Sequence, residues 1–289
     1  MRTTLSRVAA LGLLAACAGD ATPRATPDST ASAAAAVSAE PPVVTITAKD
    51  FSYELPDTIQ ADLMTLKLVN QGPDLHHVQL LHLGDGKTYA EFADALKTMK
   101  PGTSLPTWAH ELAGPNTPVP GAEQSLITSL EPGNYVVICF IPGADHVPHA
   151  MKGMMKSLTV VPNSGAVAVA PTADITVKMS DYAWEITPEI SAGKHIIKIE
   201  NDAEQAHELV LAQLEPGKTP LELANWIENQ QGPPPGKPMG GISGMLKGGV
   251  VYLPVDLPAG EYGLLCFLPD KKDGKPHVAH GMIKQITVK

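Results

Sequence analysis

Cysteine is scarce in this sequence: three residues in 289, Cys17, Cys139 and Cys266. Exported proteins usually pair their cysteines. Cys139 and Cys266, however, stand at matching places of two similar stretches, a poor arrangement for a disulfide. An unpaired thiol in an oxidising compartment is a liability unless something holds it, and a metal is a common holder. Positive charge is also short, with 21 Lys and Arg against 30 Asp and Glu and a net charge of −9. This excludes the basic face that a nucleic-acid partner requires; it fits solubility, or a basic docking partner. No apolar run, the one near the N-terminus included, is long enough to cross a bilayer. G-x-S-x-G, Walker and H-E-x-x-H motifs are missing as well, which removes the usual sequence support for hydrolase, nucleotide-dependent and zinc-protease chemistry.

The N-terminus reads "MRTTLSRVAALGLLAACAGD". Arg2 and Arg7 precede a short apolar run, the form of an export signal. The run ends in Leu14-Ala15-Ala16-Cys17, which resembles a bacterial lipobox; a plain secretory signal that happens to contain a Cys is the alternative. The resemblance implies a signal over residues 1–17, a lipid on Cys17, and a protein held on a membrane of the bacterial cell envelope, with its domains in the periplasm or outside the cytoplasmic membrane. Residues 18–41 are rich in Ala, Thr, Pro and Ser and have nothing to bury, so they read as a flexible tether.

The rest is written twice. "VVTITAKDFSYELPDTIQADLMTLKLVN" (43–70) aligns with "DITVKMSDYAWEITPEISAGKHIIKIEN" (174–201) at a constant offset of 131. Both alternate apolar and polar residues, as strands with one buried face do. At the same offset Asn70 matches Asn201, His76 matches His207, and Gly86-Lys87-Thr88 matches Gly217-Lys218-Thr219. Thr88 with Glu91, and Thr219 with Glu222, are capping boxes, and Pro220 suits a first helical position. They predict one helix of about three turns in each copy, over 88–99 and 219–231. Each copy then reaches L-x-x-G-x-Y-x-x-x-C, at Leu130 to Cys139 and Leu257 to Cys266. The expected fold class is all-β: two tandem Greek-key β-sandwich domains, 42–162 and 173–289, each with one short inserted helix and joined by a linker over 163–172.

Each copy places a His after the Asn-ended strand, then the Cys, a second His and a Met. The first offers His76, Cys139, His149 and Met154; the second offers His207, Cys266, His277 and Met282. Two imidazoles, one thiolate and one thioether form the donor set of a blue-copper site, the thioether being the weak axial ligand. The alternative is a metal-free sandwich, in which the Cys is a small core residue, the Met is packing, and the repeated C…P-H-x-x-x-G-M is a hairpin with incidental polar residues.

On these motifs the sequence resembles the cupredoxins, the family of plastocyanin, azurin and the copper domains of nitrite reductase. The shared pattern covers nearly all of the chain beyond residue 42. The resemblance implies type 1 copper, one per domain, at the eight residues named. Two departures stand out. The Cys-to-His gap is nine residues in the first copy and ten in the second, far longer than in plastocyanins, although nitrite reductases carry a similarly long Pro-containing loop. The residue after the first His is His77 or Glu208, where plastocyanins have Asn; His77 is also an alternative to His76 as the ligand.

Within that family, oxidases and nitrite reductases place His beside the Cys. Here the neighbours are Ile138 and Phe140, then Leu265 and Phe267, so the expectation is a protein that is not an enzyme. His146, Met151, Met155 and His280 read as rim positions, and His82, His110 and His195 as ordinary strand or loop residues. "QGPPPGKPMGGISGM" (231–245) reads as a surface excursion, with covering a site or docking a partner as the alternative. The leading expectation is a lipid-anchored electron carrier serving a redox partner protein. The alternatives are a copper carrier or buffer, or a binding module that keeps the fold without the metal.

Overall fold

Alternation sets the strands of the outer sheet. In β1 (Val43–Lys49) the buried side chains are Ile46 and Ala48, and in β4 (Asp62–Asn70) they are Met64, Leu66, Leu68 and Asn70. Strands β10 (Ile175–Ser180) and β12 (Gly193–Asn201) repeat the pattern with Ile175, Val177 and Met179, then Ile197, Ile199 and Asn201. The inner strands read differently. In β8 (Gly133–Ile138) every residue from Tyr135 on is buried, as is every residue of β16 (Gly260–Leu265) from Tyr262 on. A run buried on both faces needs a second layer, and the predicted helices supply it. Helix α1 (Tyr89–Thr98) lays Phe92 and Leu96 on Val136 and Ile138, and α2 (Pro220–Asn229) lays Leu223 and Ala224 on Val210, Ala212 and Leu265. Both predicted capping boxes are present: Thr88 and Thr219 accept from the backbone of Glu91 and Glu222, and each Glu carboxylate bonds back to the Thr.

The computed structural model describes residues 40–99, 103–229 and 231–289. The expectations for the signal, for Cys17 and for nearly all of the tether lie outside the described residues. The remaining strands of the first half are β2 (Ser52–Glu54), β3 (Thr58–Gln60), β5 (Gln79–Leu83), β6 (Ala109–Leu112), β7 (Glu123–Leu130) and β9 (Met155–Val161). Those of the second are β11 (Ala183–Thr187), β13 (His207–Leu214), β14 (Gly236–Met245), β15 (Val250–Leu257) and β17 (Ile283–Val288). The inner sheets run β3-β9-β8-β5-β6 in one half and β14-β13-β16-β17 in the other. In both halves the first strand pairs in parallel with a nine-residue strand, β1 with β4 and β10 with β12, while β5–β8 and β13–β16 are antiparallel. The all-β class is thus realised as sandwiches with one helix each. Among the described residues, no helix is long and apolar enough to cross a membrane.

Two features depart from the sequence expectation. The outer sheets are continuous: β7 meets β15 at Ile127 and Tyr252, giving one eight-stranded sheet, β11-β10-β12-β15-β7-β4-β1-β2. And most of 231–245 is no surface excursion. It is strand β14, buried from Gly240 to Met245, paired with β13 on one side and touching the first half on the other. Ser243 N–H donates to the Gly114 carbonyl and Gly114 N–H to the Ser243 hydroxyl oxygen, that hydroxyl donates to the Val78 carbonyl at 2.8 Å, and the Gln79 amide donates to the Gly244 carbonyl at 2.9 Å. Proline and glycine mark this segment as loop by composition. The glycines instead permit a close approach: at Gly241, with φ +126°, a Cβ would lie 1.8 Å from the Leu209 carbonyl oxygen.

Candidate metal centres

Each first His is held by an Asn. The Asn70 amide donates to the carbonyls of Asp74 (2.8 Å) and Pro118 (3.0 Å), and its oxygen accepts from Gly72 N–H (3.0 Å). Asn201 does the same with Gln205 (3.0 Å), Met245 (2.6 Å) and Ala203 N–H (2.9 Å). Both side chains are fully buried. They pin the turn that delivers His76 or His207 to the end of the sandwich. Replacing Asn201 with Ala leaves buried carbonyls and an N–H without partners and should cost about 2 kcal/mol. Urea unfolding of the metal-free chain measures it; an unchanged midpoint would mean the turn holds without the side chain.

The other residues come from one hairpin per half, built alike. The cysteine follows β8 or β16. The chain turns through an isolated bridge, Pro142 with Pro148 or Pro269 with Pro276, into a short 3-10 turn starting at His149 or His277. The N–H of Cys139 donates to the Met154 carbonyl, and those of Ala150 and Met154 to the carbonyls of Cys139 and His149. The second half repeats each bond at Cys266, Met282, Val278 and His277. Gly153 and Gly281, at φ +98° and +93°, reverse the chain so that Met154 and Met282 return to the pocket end, each fully buried. The unequal Cys-to-His gaps are absorbed in the exposed tips.

The result is two buried groups, His76/Cys139/His149 and His207/Cys266/His277, each with its donor atoms within 4.8 Å of one another. In the first, the two Nδ1 atoms are 3.1 Å apart and Cys139 Sγ is 3.6 Å from His149 Nδ1. In the second, the Nδ1 atoms are 3.0 Å apart and Cys266 Sγ is 3.3 Å from His277 Nδ1 and 3.9 Å from His207 Nδ1. His76 Nε2 lies 2.6 Å from Asp50 Oδ1, and His207 Nε2 lies 3.0 Å from Asp181 Oδ1. Those carboxylates hold the ring proton on Nε2 and leave the Nδ1 lone pair facing the pocket. Two nitrogens bound to one ion at about 2.0–2.1 Å lie about 3 Å apart, so the pair spacing fits a shared cation.

Electrostatics agree with that fit. Burial lowers the pKa of His149 and His207, and takes His277 down to about 4, so the rings stay neutral and able to ligate. Burial pushes the Cys139 thiol up to about 11 and raises Cys266 well above its ordinary value. Neither thiol ionises alone, and a cation must displace the proton. The thiolate has partners ready: the backbone N–H groups of His77 and Ile141 face Cys139, and those of Glu208 and Leu268 face Cys266. A third group, Asp270, Asp273 and His280, has its carboxylates engaged by Tyr182, Gln205, the backbone and His280 itself.

All six His and Cys residues singled out from sequence fall in the two groups, and the two methionines sit buried in the same hairpins. His77 does not join them. Its Nε2 accepts from Phe140 N–H at 2.9 Å, and burial lowers its pKa to about 3. Glu208 takes the matching place, with Oε1 accepting from Phe267 N–H at 2.7 Å. His146, Met151 and His280 are exposed and Met155 is half-buried on β9. His82 stacks on Tyr135, and His195 pairs with Asp174 at the surface. Sequence reasoning missed Asp50 and Asp181, although they stand at the same offset of 131 as the first histidines.

No family model matches the chain, and no curated protein does. Three solved structures illustrate what it is similar to. A dithionite-reduced auracyanin from Roseiflexus castenholzii is 20% identical over 43% of this chain and 100% of that one, with a TM-score of 0.29. The copper-containing nitrite reductase of Thermus scotoductus is 12% identical over 86% and 61%, TM-score 0.23. The blue copper oxidase of Nitrosomonas europaea is 14% identical over 86% and 86%, TM-score 0.24. These last two are enzymes, and they overturn the expectation that this chain is not one: the absence of His beside Cys139 and Cys266 does not settle the matter. With a parallel first strand pair, Asn-pinned His turns and Cys-to-His hairpins at the sandwich ends, the fold is cupredoxin-like.

Proposed function

We propose that the chain binds copper and transfers electrons, with one type 1 copper in each half. His76, Cys139, His149 and Met154 would hold one ion, and His207, Cys266, His277 and Met282 the other. One observation carries the reading: the Nδ1 atoms of two buried histidines and a buried cysteine sulfur converge twice in the same way. Bound copper would supply a one-electron couple, to which imidazoles and soft sulfurs are both suited. The protein's own part is to keep these donors in one arrangement. The Asn-pinned turn, the aspartate-held tautomer and the backbone-bonded hairpin leave the donor atoms little freedom, which keeps the rearrangement on electron transfer small.

Metal analysis with a visible spectrum and a redox titration tests this. The expected result is one copper per His/Cys/His group, an intense thiolate-to-copper band and a reversible potential. Uptake of cuprous ion with no stable coloured cupric form would make the chain a copper carrier or buffer instead. No uptake would make it a binding module. Asp50→Ala and Asp181→Ala should each weaken copper binding about 10–100-fold at their own site, because the ring loses the partner that fixes its tautomer. Equal loss at both sites would place the aspartates in overall stability rather than ligand orientation.

A further inference from the structure

Asn116 lies in the segment of the first half that crosses to the second, and it is 1% exposed. Its N–H donates to the Gly241 carbonyl at 3.2 Å, and its side-chain amide donates to the Ile242 carbonyl at 3.1 Å and to Glu208 Oε2 at 3.4 Å. Its side chain also faces His77. His77 Nε2 accepts from Phe140, so the neutral ring carries its proton on Nδ1, a donor that the Asn116 oxygen can accept. Glu208 in turn accepts from Phe267. Phe140 and Phe267 directly follow the two cysteines, and His77 and Glu208 directly follow the first histidines. The pockets are therefore joined by a line of neighbouring groups: Cys139, Phe140 N–H, His77, Asn116, Glu208, Phe267 N–H, Cys266.

A simple staple between the halves would not need this. The Gly114–Ser243 and Gln79–Gly244 bonds already join them, and a buried amide costs free energy that an apolar residue would not. The side chains also differ between the halves where the backbones match. His77 offers a donor toward Asn116 and Glu208 an acceptor, the pairing that an amide placed between them requires.

We infer that the His77–Asn116–Glu208 bridge is the route by which the two pockets exchange an electron, with Asn116 the link that exists only when the halves are assembled. The inference rests on the two-copper reading. One centre loses an electron as the other gains it, and no proton or co-reactant is consumed.

The test uses the full chain with Asn116→Leu and, should that variant not fold, Asn116→Ser, whose side chain is too short to span both neighbours. In the metal-free chain, amide exchange at Phe140 and Phe267 should quicken roughly tenfold as their acceptors lose their anchor. In copper-loaded chains carrying Met154→Leu to separate the two potentials, a reducing pulse of less than one electron per chain should be followed by redistribution between the centres. That step should be independent of protein concentration and should slow roughly tenfold in the Asn116 variant, with copper content and both visible bands kept. Unchanged exchange, an unchanged redistribution rate, or no such phase in the chain with Asn116 would overturn the inference. Copper analysis separates the other failure: fewer than one copper per pocket overturns the copper reading, and this inference with it.

Discussion

Replacing Cys139 with Ser is expected to remove about half of the intense visible absorption of the copper-loaded chain, and Cys266→Ser the other half. The colour of a blue site comes from charge transfer out of the thiolate, so each cysteine owns one band. A serine oxygen in the same fully buried place gives no such band. The two sulfurs sit in separate hairpins with separate backbone donors, so neither change should reach the other pocket. His149→Ala and His277→Ala should bleach or distort only their own centre. Met154→Leu and Met282→Leu should keep the colour and move the potential, because an axial thioether tunes the metal more than it holds it. Loss of all colour from one cysteine substitution would mean a single shared or surviving site. No change from either would return the hairpins to metal-free packing.

Gly241→Ala should destabilise the metal-free chain by about 3–4 kcal/mol. The new Cβ would fall 1.8 Å from the Leu209 carbonyl oxygen, at a φ of +126° that an L-residue rarely adopts. Backbone on both sides of the contact leaves no flexible side chain to yield. Leu209 is two residues past His207, so β14 must move away from β13 and from the segment of the first half that it touches. Gly86→Ala is the control. It has positive φ and nothing within 4 Å, and should cost about 1 kcal/mol. Guanidinium unfolding of the two variants separates contact from backbone strain. Equal costs would mean that the strands are not held this close.

Much of the site was legible because its signals are local and doubled. A His six residues past a strand-ending Asn, a Cys after G-x-Y, and P-H-x-x-x-G-M each report one turn or hairpin, and repetition at a nearly constant offset made coincidence hard to sustain. The capping boxes marked both helix starts for the same reason: Thr, Glu and the intervening backbone lie within one turn. Asp50 and Asp181 carried the same doubled signal and went unread, since an Asp at a strand end looks like an ordinary turn residue until its carboxylate is found 2.6 or 3.0 Å from an imidazole.

The sequence by itself determined the alternating strands, the helices and which residues could act as donors, because hydrophobic alternation, capping and donor chemistry are properties of short segments. Only the tertiary structure decided how the halves meet. The composition of 231–245 spells a loop, yet its glycines let β14 lie against Leu209 and against the first half. His77 looked like a spare ligand, and it turned out to brace the Cys139 loop and reach toward Asn116. These outcomes depend on contacts between residues 32 to 165 positions apart. Such contacts are fixed by shape and by the pairing of buried polar groups in the assembled core, and no stretch of sequence carries them on its own.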